Sequence, residues 1–179
     1  MWPICWWTWI AAGVSAGLGV MLIRRLVAGK ACPSTASMTG KTAVLTGASS
    51  GIGKATALEL ARRGARVIMA CRDVRKAERA VQDIRRHTSS GQLIVLKLDL
   101  ASLQSVRDFA ARVCQEKYIH VLINNAGVYR HPYTLTEDGL DMNMAVNHFG
   151  HFLLVHLLLD KLKASAFLMV LVLHYLTFT

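Results

Sequence analysis

The residues of this chain best placed by type and spacing to do chemistry are Gly47, Gly51 and Gly53, in the run Thr46-Gly47-Ala48-Ser49-Ser50-Gly51-Ile52-Gly53. Lacking Cβ atoms, they let a backbone turn tightly and approach a ligand closely. A short apolar run, Thr42 to Leu45, precedes the loop, and a stretch of helical composition from Lys54 to Arg63, closed by Gly64, follows it. Strand, glycine loop and helix in that order aim free N–H groups and the positive end of a helix dipole at a phosphate. The chemistry this predicts is recognition of a dinucleotide's pyrophosphate by residues 46–53, including Thr46, Ser49, Ser50 and Ile52. A glycine-rich turn that serves only tight packing of strand on helix is the plainer alternative.

Cofactor choice is read at the end of the second strand, where an acidic residue would bind the ribose hydroxyls of NAD. Cys71 and Arg72 stand there instead. An arginine can pair with a 2′-phosphate, so NADP(H) is the expected cofactor, with Arg75, Lys76 and Lys54 as helpers. A solvated loop charge is the other reading of Arg72. Asp73 suits a helix cap better than a ribose ligand.

The elements that must position these residues repeat. Arg66 to Cys71 reads as a second strand, and Asp73 can cap a helix bearing Ala77, Val81 and Ile84 on one face. Leu93 to Leu98 reads as a third strand, Ser102 caps a helix with Val106, Phe109, Ala110 and Val113 at helical spacing, and His120 to Ile123 is a fourth. Strands alternating with helices imply a parallel, doubly wound α/β sheet whose ligands gather outside the strands' carboxyl ends. The glycine loop, Arg72 and Asn124-Asn125-Ala126-Gly127 all fall there.

Taken together, Thr46-Gly47-x-x-x-Gly51-x-Gly53, Asp99-Leu100, Asn124-Asn125-Ala126-Gly127 and Val146-Asn147-His148 resemble the short-chain dehydrogenase/reductase family over nearly all of residues 40–166. The finer runs 70–73, 98–103, 136–139 and 147–152 resemble its membrane-anchored retinol dehydrogenases. The resemblance implies a Rossmann-type fold, with Asp99 and Leu100 beside the adenine. It also implies that Asn125, Ala126 and Gly127 border the ribose and nicotinamide while stabilising the sheet. Asn147 matches the asparagine of the family's Asn-Ser-Tyr-Lys tetrad; taken by itself it reads as a polar helix residue satisfied by its neighbours.

The pattern then departs from the family. A Tyr-x-x-x-Lys pair, whose lysine lowers the tyrosine pKa for proton exchange with alcohol or carbonyl, is expected, and none of Tyr118, Tyr129, Tyr133 and Tyr175 has a lysine four residues on. The chain is therefore read as truncated before that motif, an incomplete Rossmann-type sheet with Asn147 as its one tetrad residue. The implied function is NADP(H)-dependent oxidation or reduction of retinol, retinal or similar apolar alcohols and aldehydes, with little or no turnover by this chain. The alternatives are a non-catalytic dinucleotide-binding or subunit-pairing module, or an unstable transcript-variant product. Residues 167–179 carry no charged side chain; their β-branched and aromatic content permits a fifth strand, and a tail never shaped for function is the competing reading.

Composition bounds the rest. A hydrophobic share of 53% supports a core, and the net charge of +10 comes without an aromatic-interleaved basic stretch, which argues against nucleic acid and for a phosphate-bearing ligand and an anionic membrane face. Cys5, Cys32, Cys71 and Cys114 lie too far apart for a metal motif, and His148 and His151, which could share a helix face, lack the further ligands zinc needs. From Trp2 to Ile23 no side chain is charged; Trp2, Trp6, Trp7 and Trp9 crowd one end and Arg24, Arg25 and Lys30 follow the other. Such a run is long enough to cross a bilayer, with its positive flank on the cytosolic side. The expected organisation is an anchor over 1–25, a linker over 26–39, the dinucleotide-binding part over 40–166 and a divergent tail over 167–179. A single-pass protein facing the cytosol follows, in the endoplasmic reticulum or a mitochondrial membrane. The sequence gives no oligomeric state.

Overall fold

The computed structural model describes residues 6–27, 34–165 and 171–174. Trp2, Cys5, Lys30, Cys32, linker residues 28–33, residue 166 and tail residues 167–170 and 175–179 lie outside them. The chain divides into two compact units, residues 1–35 and 36–179.

The first unit contains helix α1, Trp6–Val27. It runs two residues past the expected anchor boundary, and Trp9, Leu18, Met21, Leu22, Ile23 and Leu26 are all exposed along it.

The second unit is a parallel five-stranded sheet, β1 (Thr42–Thr46), β2 (Arg66–Cys71), β3 (Gln92–Lys97), β4 (Val121–Asn124) and β5 (Leu171–His174), in the order β3-β2-β1-β4-β5. Helices α2 (Gly51–Arg62), α3 (Val74–Arg85) and α4 (Leu103–Val113) follow the first three strands. A short α5 (Met142–Met144), a π-helical turn (Ala145–Phe149) and α6 (Gly150–Ser165) lead toward β5. Strands β3 and β4 sit one residue from their expected positions, because the register is set by partners: Gln92 pairs with Arg66, and Val121 with Ala43. The strand Leu171–His174, parallel to β4, falls in the tail.

Successive side chains of a strand point to opposite faces, and here both faces are covered. Val67, Met69 and Cys71 of β2 pack with Ala57, Ala77, Ala80 and Ile84 of α2 and α3. Ile68 and Ala70 of the same strand pack with Val106, Phe109, Leu154 and Leu158 of α4 and α6. Both strand residues and helix stripes are therefore committed to cores, which makes the sheet doubly wound. Asp73 Oδ1 accepts from Lys76 N–H at 2.9 Å and Ser102 Oγ from Ser105 N–H at 3.2 Å, so α3 and α4 begin at their expected caps. Residues 142–165 are apolar and long enough to pass as a membrane span, yet His151, Leu154, Leu158 and Leu162 are buried against the domain, as in a core helix.

Candidate dinucleotide site

With β1 flanked by β2 and β4, the chain reverses its winding direction between β1 and β4, and a crevice opens outside their carboxyl ends. The crevice has a volume of about 440 Å³ and is walled by Gly47, Ser49, Ser50, Ile52, Gly53, Arg72, Asp73, Lys76, Asp99, Leu100, Asn125, Ala126, Gly127, Val128 and Val146, with Ala70, Cys71 and Leu98 at its floor.

The glycine loop is shaped by its contacts with the end of β4. Gly47 has φ +69, and a Cβ there would lie 2.7 Å from Cα of Ala126. A Cβ on Gly53 would strike the carbonyl oxygen of Gly47 and come within 2.6 Å of Asn125 Nδ2. Asn125 Nδ2 donates to the carbonyls of Thr46 at 2.9 Å and Gly47 at 3.3 Å, tying the two strand ends together. Unlike α3 and α4, α2 starts at a residue, Ser50, whose side chain makes no capping bond. The first-turn N–H groups of α2 therefore keep their donor capacity for something outside the helix. Glycine turn, uncapped helix start and the cations of Arg72 and Lys76 on one wall are a donor set that fits the phosphates of a dinucleotide.

Three expected site residues are not on the wall. Thr46 is fully buried, and its hydroxyl accepts from the N–H groups of Asn125 at 2.9 Å and Ala126 at 3.0 Å while lying 3.0 Å from His151 Nε2. It shapes the loop from beneath. Gly51, at φ +53, opens α2 beside the crevice without lining it. Asn147 is also off the wall. Its Oδ1 accepts from Val128 N–H and its Nδ2 donates to the Val128 carbonyl, both at 2.8 Å. Both ends of its amide thereby hold the loop segment that lines the crevice after Gly127.

Among the basic residues at the β2 end, Arg72 and Lys76 face the crevice. Lys54 is held by Asp83 at 2.8 Å and so is drawn to α3 instead, and this attraction lowers the Asp83 pKa. Asp73 uses Oδ1 as the α3 cap, the role its position suggested. Asp99 Oδ1 accepts from Ala101 N–H at 3.0 Å. Burial pushes the Cys71 thiol above its ordinary value, against weaker opposing contributions from Ala48, Ser49 and Lys76.

His148 and His151 do not share a face. His148 is exposed beside the rings of Phe149 and Phe152, whereas His151 is buried toward Thr46. The π turn inserts an extra residue between them and rotates the following helix. Among the described residues no group of three or more His, Cys, Asp or Glu side chains could hold a metal. Sequence reasoning missed His151 and Val128 as parts of the site; the spacing His151, Leu154, Leu158, Leu162 was the available sign that His151 faces the core.

A doubly wound parallel sheet with a glycine loop and an uncapped helix at its switch point defines a dinucleotide-binding α/β protein. Residues 41–169 match the short chain dehydrogenase family, and the chain belongs to that family, whose members bind a nicotinamide cofactor. It is 56% identical over 157 residues to Retinol dehydrogenase 13 of Homo sapiens, covering 87% of this chain and 47% of the relative. With Retinol dehydrogenase 11 of Homo sapiens the identity is 54% over 145 residues, covering 80% and 46%. The crystal structure of a metagenomic short-chain oxidoreductase in complex with NADP superposes with a TM-score of 0.63 at 33% identity, covering 73% of this chain and 59% of the other. The chain spans about half the length of the curated relatives it matches.

Proposed function

We propose that this chain is the cofactor-holding part of an NADP(H)-dependent short-chain oxidoreductase of retinol dehydrogenase type, acting on retinol, retinal or similar apolar alcohols and aldehydes. The observation that carries the cofactor reading is the crevice wall on which Arg72 and Lys76 stand beside the uncapped start of α2, while Asp73 is engaged as a cap. The glycine loop, Arg72, Asp99, Leu100 and Asn125 to Gly127 serve the cofactor, and Thr46 serves it by fixing the loop. The bound nicotinamide would supply hydride exchange with the substrate. Support for the substrate class comes from the retinol dehydrogenases among the relatives.

Asn147 is the tetrad asparagine in this reading, and the 179 residues contain no Tyr-x-x-x-Lys pair. We expect this chain to bind NADPH and to give little or no retinal reduction. An intact crevice without that pair also supports a second reading, a non-catalytic dinucleotide-binding or subunit-pairing module. The apolar, outward-facing α1 supports a single-pass anchor over residues 1–25, joined by a linker to a dinucleotide-binding part over 40–166 and a tail over 167–179. Arg24 and Arg25 favour a cytosolic domain, on the endoplasmic reticulum before a mitochondrial membrane.

Fluorescence titration tests the reading. NADPH should bind more tightly than NADH, and Arg72→Ala should weaken NADPH by about tenfold to a hundredfold, the worth of one charge-assisted contact, while leaving NADH nearly unchanged. Equal affinities for both cofactors would refute the NADP assignment. Purified chain that reduces retinal would refute the expectation of little or no turnover.

A further inference from the structure

In a parallel sheet every crossover helix ends at the strands' amino ends, opposite the crevice. Here those helix ends are basic. Arg62 closes α2, Arg112 closes α4 and Lys163 lies in the last turn of α6; all are exposed, and none forms an ion pair among the described residues. Lys117, also exposed, precedes β4. Of the carboxylates at this end, Glu59, Asp83 and Glu116 are already engaged by Arg63, Arg86 and Arg66, leaving Asp108 and Asp160 to offset the rest. The opposite end mixes its cations with Asp99, Asp138 and Asp141. Basic residues at helix C-termini offset the macrodipole, but each helix gains that from one cation in its last turn, and this face collects further charge from Lys117 and Lys41 between the elements.

The chain also enters the domain here. Met38 N–H donates to the Arg63 carbonyl at 2.8 Å, and Met38 packs against the α2 and α3 core. Ten residues separate Val27, the end of α1, from Met38, and the eleven steps between them span at most about 40 Å at full extension.

We propose that this amino-end face lies against an anionic phospholipid bilayer, so that the cofactor crevice opens away from the membrane. The proposal rests on reading α1 as an anchor, which holds this face within reach of the lipid. Charge complementarity favours phosphatidylserine-type headgroups over a neutral surface, and the attraction should fall with salt as the Debye length shortens.

The test uses the full chain and vesicles of phosphatidylcholine, with and without about a third phosphatidylserine, and compares two triple charge reversals. One carries Arg62→Glu, Arg112→Glu and Lys163→Glu. The other carries Arg79→Glu, Arg107→Glu and Arg130→Glu, an equal change of net charge away from the face. The first should cut the preference for anionic vesicles by about tenfold or more and the second far less. Unchanged NADPH affinity in both shows that the fold is intact. Equal effects of the two sets, or a preference that survives the first, would overturn the proposal. So would a first set that leaves lipid binding intact and abolishes retention on RNA, which would assign the face to nucleic acid. The anchor is read separately, since all four tryptophans lie at positions 2, 6, 7 and 9. If their emission ignores neutral vesicles while binding to anionic vesicles stays sensitive to the first set, the anchor reading fails and the basic face stands.

Discussion

His151 of α6 places Nε2 3.0 Å from the hydroxyl of Thr46 at the end of β1, in a fully buried contact beneath the glycine loop. The hydroxyl already accepts from the N–H groups of Asn125 and Ala126, which fills its two lone pairs. Its own proton is left for His151 Nε2 at 3.0 Å or the Ile123 carbonyl at 3.5 Å. One threonine oxygen thus joins β1, the end of β4 and α6 at a single point.

Removing that oxygen should be costly. Thr46→Val keeps the shape and leaves two N–H groups without their acceptor, an expected loss of about 2 kcal/mol or more in urea unfolding. Thr46→Ser should stay within about 1 kcal/mol of wild type. A double-mutant cycle with His151→Phe should show coupling of about 0.5–3 kcal/mol; additivity would mean that the contact carries no energy.

Asn147 offers a similar test on the other wall. Asn147→Ala deletes both bonds to Val128, and Asn147→Asp keeps the acceptor but turns an oxygen toward the Val128 carbonyl. Both should cost about 2 kcal/mol and speed amide exchange at Val128. Unchanged exchange in the Asp variant would show that the donor half of the pair is dispensable.

The loop glycines should differ in kind. Gly53→Ala drives a Cβ into the Gly47 carbonyl and Asn125, so it should weaken NADPH binding by more than tenfold, a loss above about 1.4 kcal/mol. Gly51→Ala meets open space and bears only the left-handed backbone cost of about 1–2 kcal/mol in stability. The reverse ranking in NADPH affinity would sink this account.

Acidification should loosen the amino end of the sheet. Burial first, and then the Lys41 charge, lower the His120 pKa, and the neutral ring's Nδ1 accepts from Thr42 N–H at 2.9 Å. A histidine pKa depressed by folding contributes stability that is present above the ordinary value of 6.5 and is lost as pH falls through the folded value. His120→Gln should flatten the pH dependence of unfolding below 6.5. Cys71 acts at the other limit: its raised pKa contributes stability below the ordinary value of 9.0 that is lost as pH rises through the higher folded value. Cys71→Ala should remove that alkaline slope.

Tryptophan emission reports on the amino-terminal segment alone, because all four indoles lie within its first nine residues. Addition of neutral vesicles should shift it to the blue, and brominated lipids should quench it. An unmoved spectrum would count against the anchor.

Much of this molecule follows from interactions within a few residues of chain. The run Thr42 to Gly53 encodes strand, turn and helix locally, and Asp73 and Ser102 cap their helices through bonds spanning three residues, so the α/β alternation and the glycine loop were legible in sequence. The short-chain dehydrogenase resemblance was legible for the same reason, since its motifs are contiguous. Tertiary structure decided what depends on distant partners. The strand order brings Asn125 against Gly47, Asp83 captures Lys54, and the π turn rotates His151 away from His148 and onto Thr46. Periodicity shows at most that His151 faces the core; its partner, like the others, is fixed by how two cores pack on the sheet rather than by spacing along the backbone.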